Sequence, residues 1–421
     1  MSMNGLRINK DTQLEPQVYV FPEGITIDAD NVTLDGNGAT IMGIDKTNSQ
    51  GIKVFGRKNI IIKNIRVLNY YHGISVKQSS GIEISHCTIS LTTEIQSNTL
   101  FLDIWKPAAE AYGSAIFLEQ VTDAKIYDND LQHQMNGLLS YKCKKLEVKK
   151  NLANYCSGYG FHLFETSEST FEDNYADYCC RYYLSNGGSH LGADAAGFLI
   201  IHKSCNNVFR KNYARLGGDG FFLAGLTPDG IDVGCNNNLF EENDASYSPN
   251  NAFEGVFSKG NIYRGNKANH SNYGFWLGFS SDCTLQENQI YNNHQAGIAV
   301  ENGVGFKVLH NDIQNNAHGI LIWTRFYDFL KKVHGVNQTS QDWQIEGNKL
   351  IQNKKAIRIA ANQNHGIRAL DGELSPITPN NHTIYNNEIR GNVIGIELEK
   401  TKRTRLNQNL LDNLITDLDD K

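Results

Sequence analysis

Three carboxylates share one pattern in the sequence. Asp219 in Gly-Gly-Asp-Gly and Glu254 in Phe-Glu-Gly each stand one residue before a glycine that opens a short apolar strand, and Asp194 stands three residues before the corresponding Gly197. If successive strands stack, Asp219 and Glu254 share a column about 5 Å apart and Asp194 lies diagonally beside them. Like charges that close cannot all ionise comfortably, so one pKa rises. A raised carboxyl beside an ionised one is the acid/base pair of glycoside hydrolysis. A stacked pair near 5 Å allows retention, and a wider Asp194–Glu254 pair leaves room for water and inversion. Two other roles fit the same residues: Asp219 capping its Gly-Gly turn with Glu254 paired to Lys259 or Arg215, and a Ca²⁺ site made by all three. The catalytic set is therefore Asp194, Asp219 and Glu254. It requires no cofactor, and Ca²⁺ is the metal the cluster would suit.

A second group of residues has the chemistry to hold a sugar. Exposed aromatic rings on a polar protein call for a partner. Trp276 and Trp323 are the best placed to stack on the C–H faces of sugar rings. His162, Glu165, His190, Tyr273, Glu301 and Arg325 supply polar groups for substrate binding. No phosphate-binding loop, nucleophile elbow, zinc-helix motif or dinucleotide fingerprint accompanies them.

These side chains need an element that repeats. A strand of small residue, apolar, any, apolar recurs thirteen times, from Gly51-Ile-Lys-Val through Gly160-Phe-His-Leu and Gly220-Phe-Phe-Leu to Gly395-Ile-Glu-Leu. Where no insertion intervenes the step is 19 to 23 residues. An asparagine marks the coils, as at Asn129, Asn151, Asn174, Asn212, Asn243, Asn266 and Asn288, with His86 in its place in the second copy, and from Asn151 to Asn311 an alanine or isoleucine follows two residues later. A period near 22 is too short for a helix pair and fits one turn of a solenoid with three short strands. Counting the glycine as zero, positions +1 and +3 point inward. Positions −1, +2 and +4 point outward, a set that includes Phe55, His162, Phe257, Trp276, Glu301 and Trp323.

The G-[IF]-x-[VIL] strand and the N-x-[AI] ladder resemble the right-handed parallel β-helix of the pectate-lyase-like superfamily over roughly residues 25–415. The resemblance implies an all-β, single-stranded right-handed parallel β-helix of about 13 coils with a substrate groove over the glycine-strand sheet. Residues 1–25 are expected to form an N-terminal cap, 26–409 the β-helix, and 410–421 a C-terminal tail or cap. Insertions fall near 90–113, 181–195, 225–235, 324–342 and 361–382, each next to the glycine strand, where they would wall that groove. The superfamily includes glycoside hydrolases, polysaccharide lyases, sugar epimerases, esterases and non-catalytic proteins. The paired aspartates, glycine-histidine and arginine motif of its pectin hydrolases are not present in this sequence.

Composition narrows the partners. The net charge of −6 argues against nucleic-acid binding by bulk electrostatics. No run of about 18 apolar residues would span a membrane. Met1-Ser-Met-Asn-Gly-Leu-Arg carries no secretory h-region, and eight cysteines without a CxxC pair read as thiols, so a cytoplasmic location is expected unless the chain is a trimmed secreted one. The reading that follows is a glycoside hydrolase acting on an oligo- or polysaccharide. A polysaccharide lyase or uronate C5-epimerase is the alternative, and a non-catalytic glycan-binding β-helix the third.

Overall fold

A computed structural model describes residues 4–325, 327, 330, 333, 337–361 and 378–420. The chain divides into two compact units, Met1–Asp219 and Gly220–Lys421. Each is a parallel β-helix built from three strand columns per coil. In the first unit the glycine-strand sheet runs from Leu6–Ile8 and Ile25–Ile27 through His72–Lys77, Ser114–Glu119 and Tyr159–Phe164 to Ala196–Ile201, with parallel pairing throughout. In the second unit it runs from Asn251–Val256 through Tyr273–Trp276, Ala296–Glu301, His318–Trp323, Lys355–Ala360 and Ile394–Glu399 to Thr416–Asp420.

The expected caps are themselves coils. Leu6–Ile8 pairs with Ile25–Ile27 and Val18–Val20 with Thr40–Met42, so the chain from Leu6 onward contributes a first turn. At the other end Leu410–Asp412 pairs with Glu388–Arg390 and Thr416–Asp420 with Ile394–Glu399. The first turn carries the glycine as Gly5-Leu6-Arg7-Ile8 and Gly24-Ile25-Thr26-Ile27 but no alanine, and the last has Asp417 where Gly395 stands in the coil before. Of the expected insertions, the one near 361–382 falls largely outside the described residues, and the one near 324–342 does so in part.

Steric close approach explains the glycine column. A Cβ on Gly160 would meet Ala176 Cβ at 2.6 Å and Gly197 O at 2.7 Å, and one on Gly137 would meet Ala153 Cβ at 2.7 Å. Glycine and alanine are thus two halves of one contact across the coil. The core between them is filled by stacked rings: Phe161 on Phe198 at 4.8 Å in the first unit, and Phe221, Phe253 and Phe275 at 5.0 and 4.9 Å in the second.

The asparagines form the expected ladder. Asn129, Asn151, Asn174 and Asn212 are buried, and each Nδ2 donates to the next Oδ1 at 2.9–3.0 Å. In the second unit the ladder runs through Asn243, Asn266, Asn288, Asn311, Asn348, Asn387 and Asn409. The residue before each asparagine turns the chain in the left-handed region, as at Lys150 (φ 53°) and Glu287 (φ 56°). A second ladder, Asn293, Asn316, Asn353, Asn392 and Asn413, runs beside the short third sheet of the second unit.

Asn266 accepts from both the backbone N–H and the side chain of Asn243 and donates to Phe240 O at 2.9 Å. Asn266→Ala removes all three of these bonds from buried groups. At roughly 1–3 kcal/mol per orphaned group, we expect a loss of about 3 kcal/mol, read as an earlier denaturant midpoint by circular dichroism.

Candidate active site

The first unit brings two of the three carboxylates together through a glycine pair. A Cβ on Gly218 would meet Ala195 O at 2.5 Å and Gly192 Cα at 2.7 Å, so only glycine lets the 192–195 loop lie against the start of the next strand. The Asp219 N–H then donates to Ala195 O at 3.1 Å. Gly218 of the Gly-Gly-Asp sequence therefore serves close approach. Ala193 (φ 42°) and Asp194 (φ 61°) are both held left-handed, a conformation unfavourable to non-glycine residues and persisting where packing enforces it.

Two walls impose that packing. The 181–195 insertion is an antiparallel hairpin, Tyr182–Ser185 with Gly188–Leu191. The 90–113 insertion crosses it: the Asn98 N–H donates to Tyr182 O at 2.5 Å, and Phe101 packs edge-on to Tyr183 at 5.8 Å. Arg181 joins them. It is 1% exposed, and its guanidinium donates to Gln96 O at 2.7 Å, Leu100 O at 3.1 Å and Ile95 O at 3.3 Å. Burial lowers its pKa below the ordinary arginine value.

The enclosure sets the electrostatics. Burial first, and the charge of Asp219 second, push the Asp194 carboxyl up to about 7. Asp219 itself is buried. Tyr159, on the groove floor, is buried with its hydroxyl unpartnered. Burial pushes it well above the ordinary tyrosine range, helped by Tyr112, Tyr141 and Asp194, so it stays a phenol. His162 is buried and its Nδ1 has no partner. Burial, with His202 adding to it, drops its pKa to about 3, so the ring is neutral. Its ring lies 5.4 Å from Tyr159 and 5.0 Å from Tyr141.

Glu254 is not in the Asp219 column. It pairs with Phe222 and Trp276, three rows on from the position that Asn251 shares with Tyr273. The residue opposite Gly274 is therefore Ala252, and Gly255 stands at the third, inward position of its strand. The cause is Tyr263. Phe240 and Leu285 occupy its place in neighbouring coils, and a Cβ on Gly255 would meet the Tyr263 hydroxyl at 2.7 Å. Gly255 makes room for that hydroxyl and imitates the repeat marker. Glu254 accepts from Asn251 Nδ2 at 2.5 Å, in place of the expected Lys259 or Arg215; Lys259 pairs with Asp282 and Arg215 with Asp177. Phe257 shifts with it, from the groove floor to a turn.

The remaining expected residues divide between the units. His190 sits exposed on the hairpin, with Nε2 3.2 Å from Ser185 Oγ. Glu165 is not on the floor; it occupies an exposed left-handed turn (φ 50°) and faces Lys142 at 4.0 Å. In the second unit Tyr273, Trp276 and Trp323 pack together, with Tyr273–Trp276 centroids 5.0 Å apart and Trp276–Trp323 5.5 Å apart. Trp323 is 3% exposed, so it is a packing residue and not a stacking platform; Trp276 stays half-buried. Glu301 accepts from the Tyr327 hydroxyl at 2.7 Å, and the Arg325 guanidinium lies 4.4 Å above the Tyr327 ring. Among the described residues no three His, Cys, Asp or Glu side chains group as a metal ion would require. Tyr159 and Arg181 escaped selection. The first was legible from its place before Gly160; the second acts on carbonyls 81 to 86 residues away.

Comparison with known proteins follows the fold. The family described as "Right handed beta helix region" matches residues 93–228 and 224–330. No curated protein matches the chain. Similar solved structures include a mannuronan C-5 epimerase A-module from Azotobacter vinelandii (16% identity, 97% of this chain and 90% of that chain, TM-score 0.44). Another is a surface adhesin of Streptococcus pneumoniae (11% identity, 95% and 83%, TM-score 0.43). A third is DFA-IIIase from Arthrobacter chlorophenolicus A6 (12% identity, 71% and 70%, TM-score 0.40).

Two expectations follow from the walls and the charge they enclose. Arg181→Ala releases the two insertions from each other, so limited proteolysis cuts within 90–113 first, while the parent resists at the same protease dose. The folded Asp194 holds its proton to about pH 7 and the unfolded one only to about 3.8, so its contribution to stability falls as pH rises through that window and is flat above it. Asp194→Asn removes this slope. The variant should melt above the parent at pH 8, with the gap closing toward pH 4.

Proposed function

The chain belongs to the right-handed β-helix family, and on that fold we propose a glycoside hydrolase in which Asp194 and Asp219 are the acid/base pair. One observation carries the reading: a partly buried carboxyl held near pH 7 by its surroundings and by a second, buried carboxylate. Asp194 keeps its proton at neutral pH and gives it to the leaving glycosidic oxygen. Asp219, ionised, stabilises the oxocarbenium-like charge or activates the attacking water. His162, neutral, and Tyr159, a phenol, are buried and pack the floor. The substrate is an oligo- or polysaccharide, and this chemistry calls for no cofactor.

A second reading has its own observation. Tyr159 and His162 are buried polar groups with atoms left unpartnered beside the carboxylates, and an elimination or epimerisation would use such groups to move a proton at a uronate ring. The high pKa of Tyr159 weighs against a tyrosinate base and places this reading second.

Reducing-end release from a panel of neutral and uronic oligosaccharides separates the two. In the hydrolase, Asp194→Asn and Asp219→Asn each lower kcat by at least about 100-fold, the scale of a lost general acid or base. Parent kcat/KM falls above about pH 7 as Asp194 loses its proton. Product absorbing in the ultraviolet, formed by both amide variants but not by Tyr159→Phe, replaces the hydrolase with the lyase.

A further inference from the structure

A second site lies in the second unit, on a turn. The residue that closes the glycine strand adopts left-handed backbone in most coils, and polar side chains fill it at Gln78, Gln120, Lys142, Glu165, His202 and Asn302. Two successive coils place phenylalanine there instead, Phe257 (φ 54°) and Phe279 (φ 60°). A left-handed conformation costs an ordinary side chain about 1–2 kcal/mol. Both rings stay only half-buried, so the fold recovers little of that by burial. They stack face to face at 4.6 Å with 3° between planes and form one side of an open cavity of about 420 Å³. That volume is within the range of small-molecule sites.

The rest of the lining is polar and held in place. Asp232, from the 225–235 insertion, accepts the Gly234 N–H at 3.0 Å, and Asn236 accepts the Lys259 N–H at 2.7 Å. Lys259 and Asp282 face each other at 3.4 Å, and Asp232, Asp282 and Lys259 together carry one net negative charge. We propose that this cavity is a binding site for a neutral saccharide, sharing no residue with the Asp194–Asp219 pair. The C–H groups of a sugar ring lie against Phe257 and Phe279, and its hydroxyls donate to Asp232 and Asp282. The negative lining disfavours a uronate in the same place. The paired aromatic turn residues, unneeded by the coil, are thereby accounted for.

The test is isothermal titration of the full chain with cellotetraose, mannotetraose and xylotetraose. Phe257→Gln/Phe279→Gln uses the residue that Gln78 and Gln120 already supply at this turn, so the coil is kept, as an unchanged melting temperature would show. At least one of the three sugars should bind the parent, and the double variant should weaken that binding by about tenfold or more. Asp232→Ala, on an exposed side chain, should weaken it as well and stands in if the double variant melts early. Asp194→Asn should leave it intact, which keeps this result separate from the fate of the hydrolase reading. The proposal is overturned if none of the three sugars binds. It is equally overturned if binding survives both cavity variants, or is lost in Asp194→Asn instead.

Discussion

The side-chain bond from one asparagine amide to the next is the constraint on which the rest of this molecule depends. Asn311 reaches Asn348 across 37 residues and Asn348 reaches Asn387 across 39, at the same 2.9 Å that joins Asn288 to Asn311 across 23. The amide pair reads coil position and ignores chain length between. A slip by one residue would orphan every buried amide and turn each strand inside out. Insertions of any length can therefore leave the coil beside the glycine strand without disturbing its register, and the walls of the first unit are built from that freedom.

The walls in turn stand beside the buried carboxyl pair. A carboxylate on an open sheet edge would titrate near its ordinary value. Asp194 departs from it because burial removes it from water next to Asp219. Arg181 holds the arrangement without adding a counter-charge to the pair, since its bonds go to three main-chain carbonyls.

What the sequence made legible is what close approach dictates. The glycine of Gly160 and the alanine of Ala176 must both be small because they touch, so their spacing announces the coil. Asp194 and Asp219 were readable for the same reason, since their separation follows from coil register. Glu254 was misplaced because Gly255 is small for a different neighbour, the Tyr263 hydroxyl, and one small residue looks like another. Trp323 looked like a platform because alternation gives the face of a strand but not what lies on top of it. The last turn passed for a cap because Asp417 stands in its glycine position, and the first because its Gly5 and Gly24 strands come without the alanine. Arg181 could not be read at all, because main-chain carbonyls have no sequence signature.

The second asparagine ladder has a direction. From Asn293 through Asn316, Asn353 and Asn392 to Asn413, every Nδ2 donor points toward the later coil, and the last donates to Asp417 Oδ1 at 2.7 Å while the Asn413 N–H donates to the same oxygen at 3.0 Å. Five amide dipoles are thus aligned head to tail, and mutual polarisation strengthens each bond in such a chain. The donor end of the row carries partial positive charge, and Asp417 meets it with a full negative one, as an acidic residue does at the start of an α-helix. The ladder is a polar filament closed by an anion, and the final coil serves as its electrostatic terminus as well as its last layer of packing.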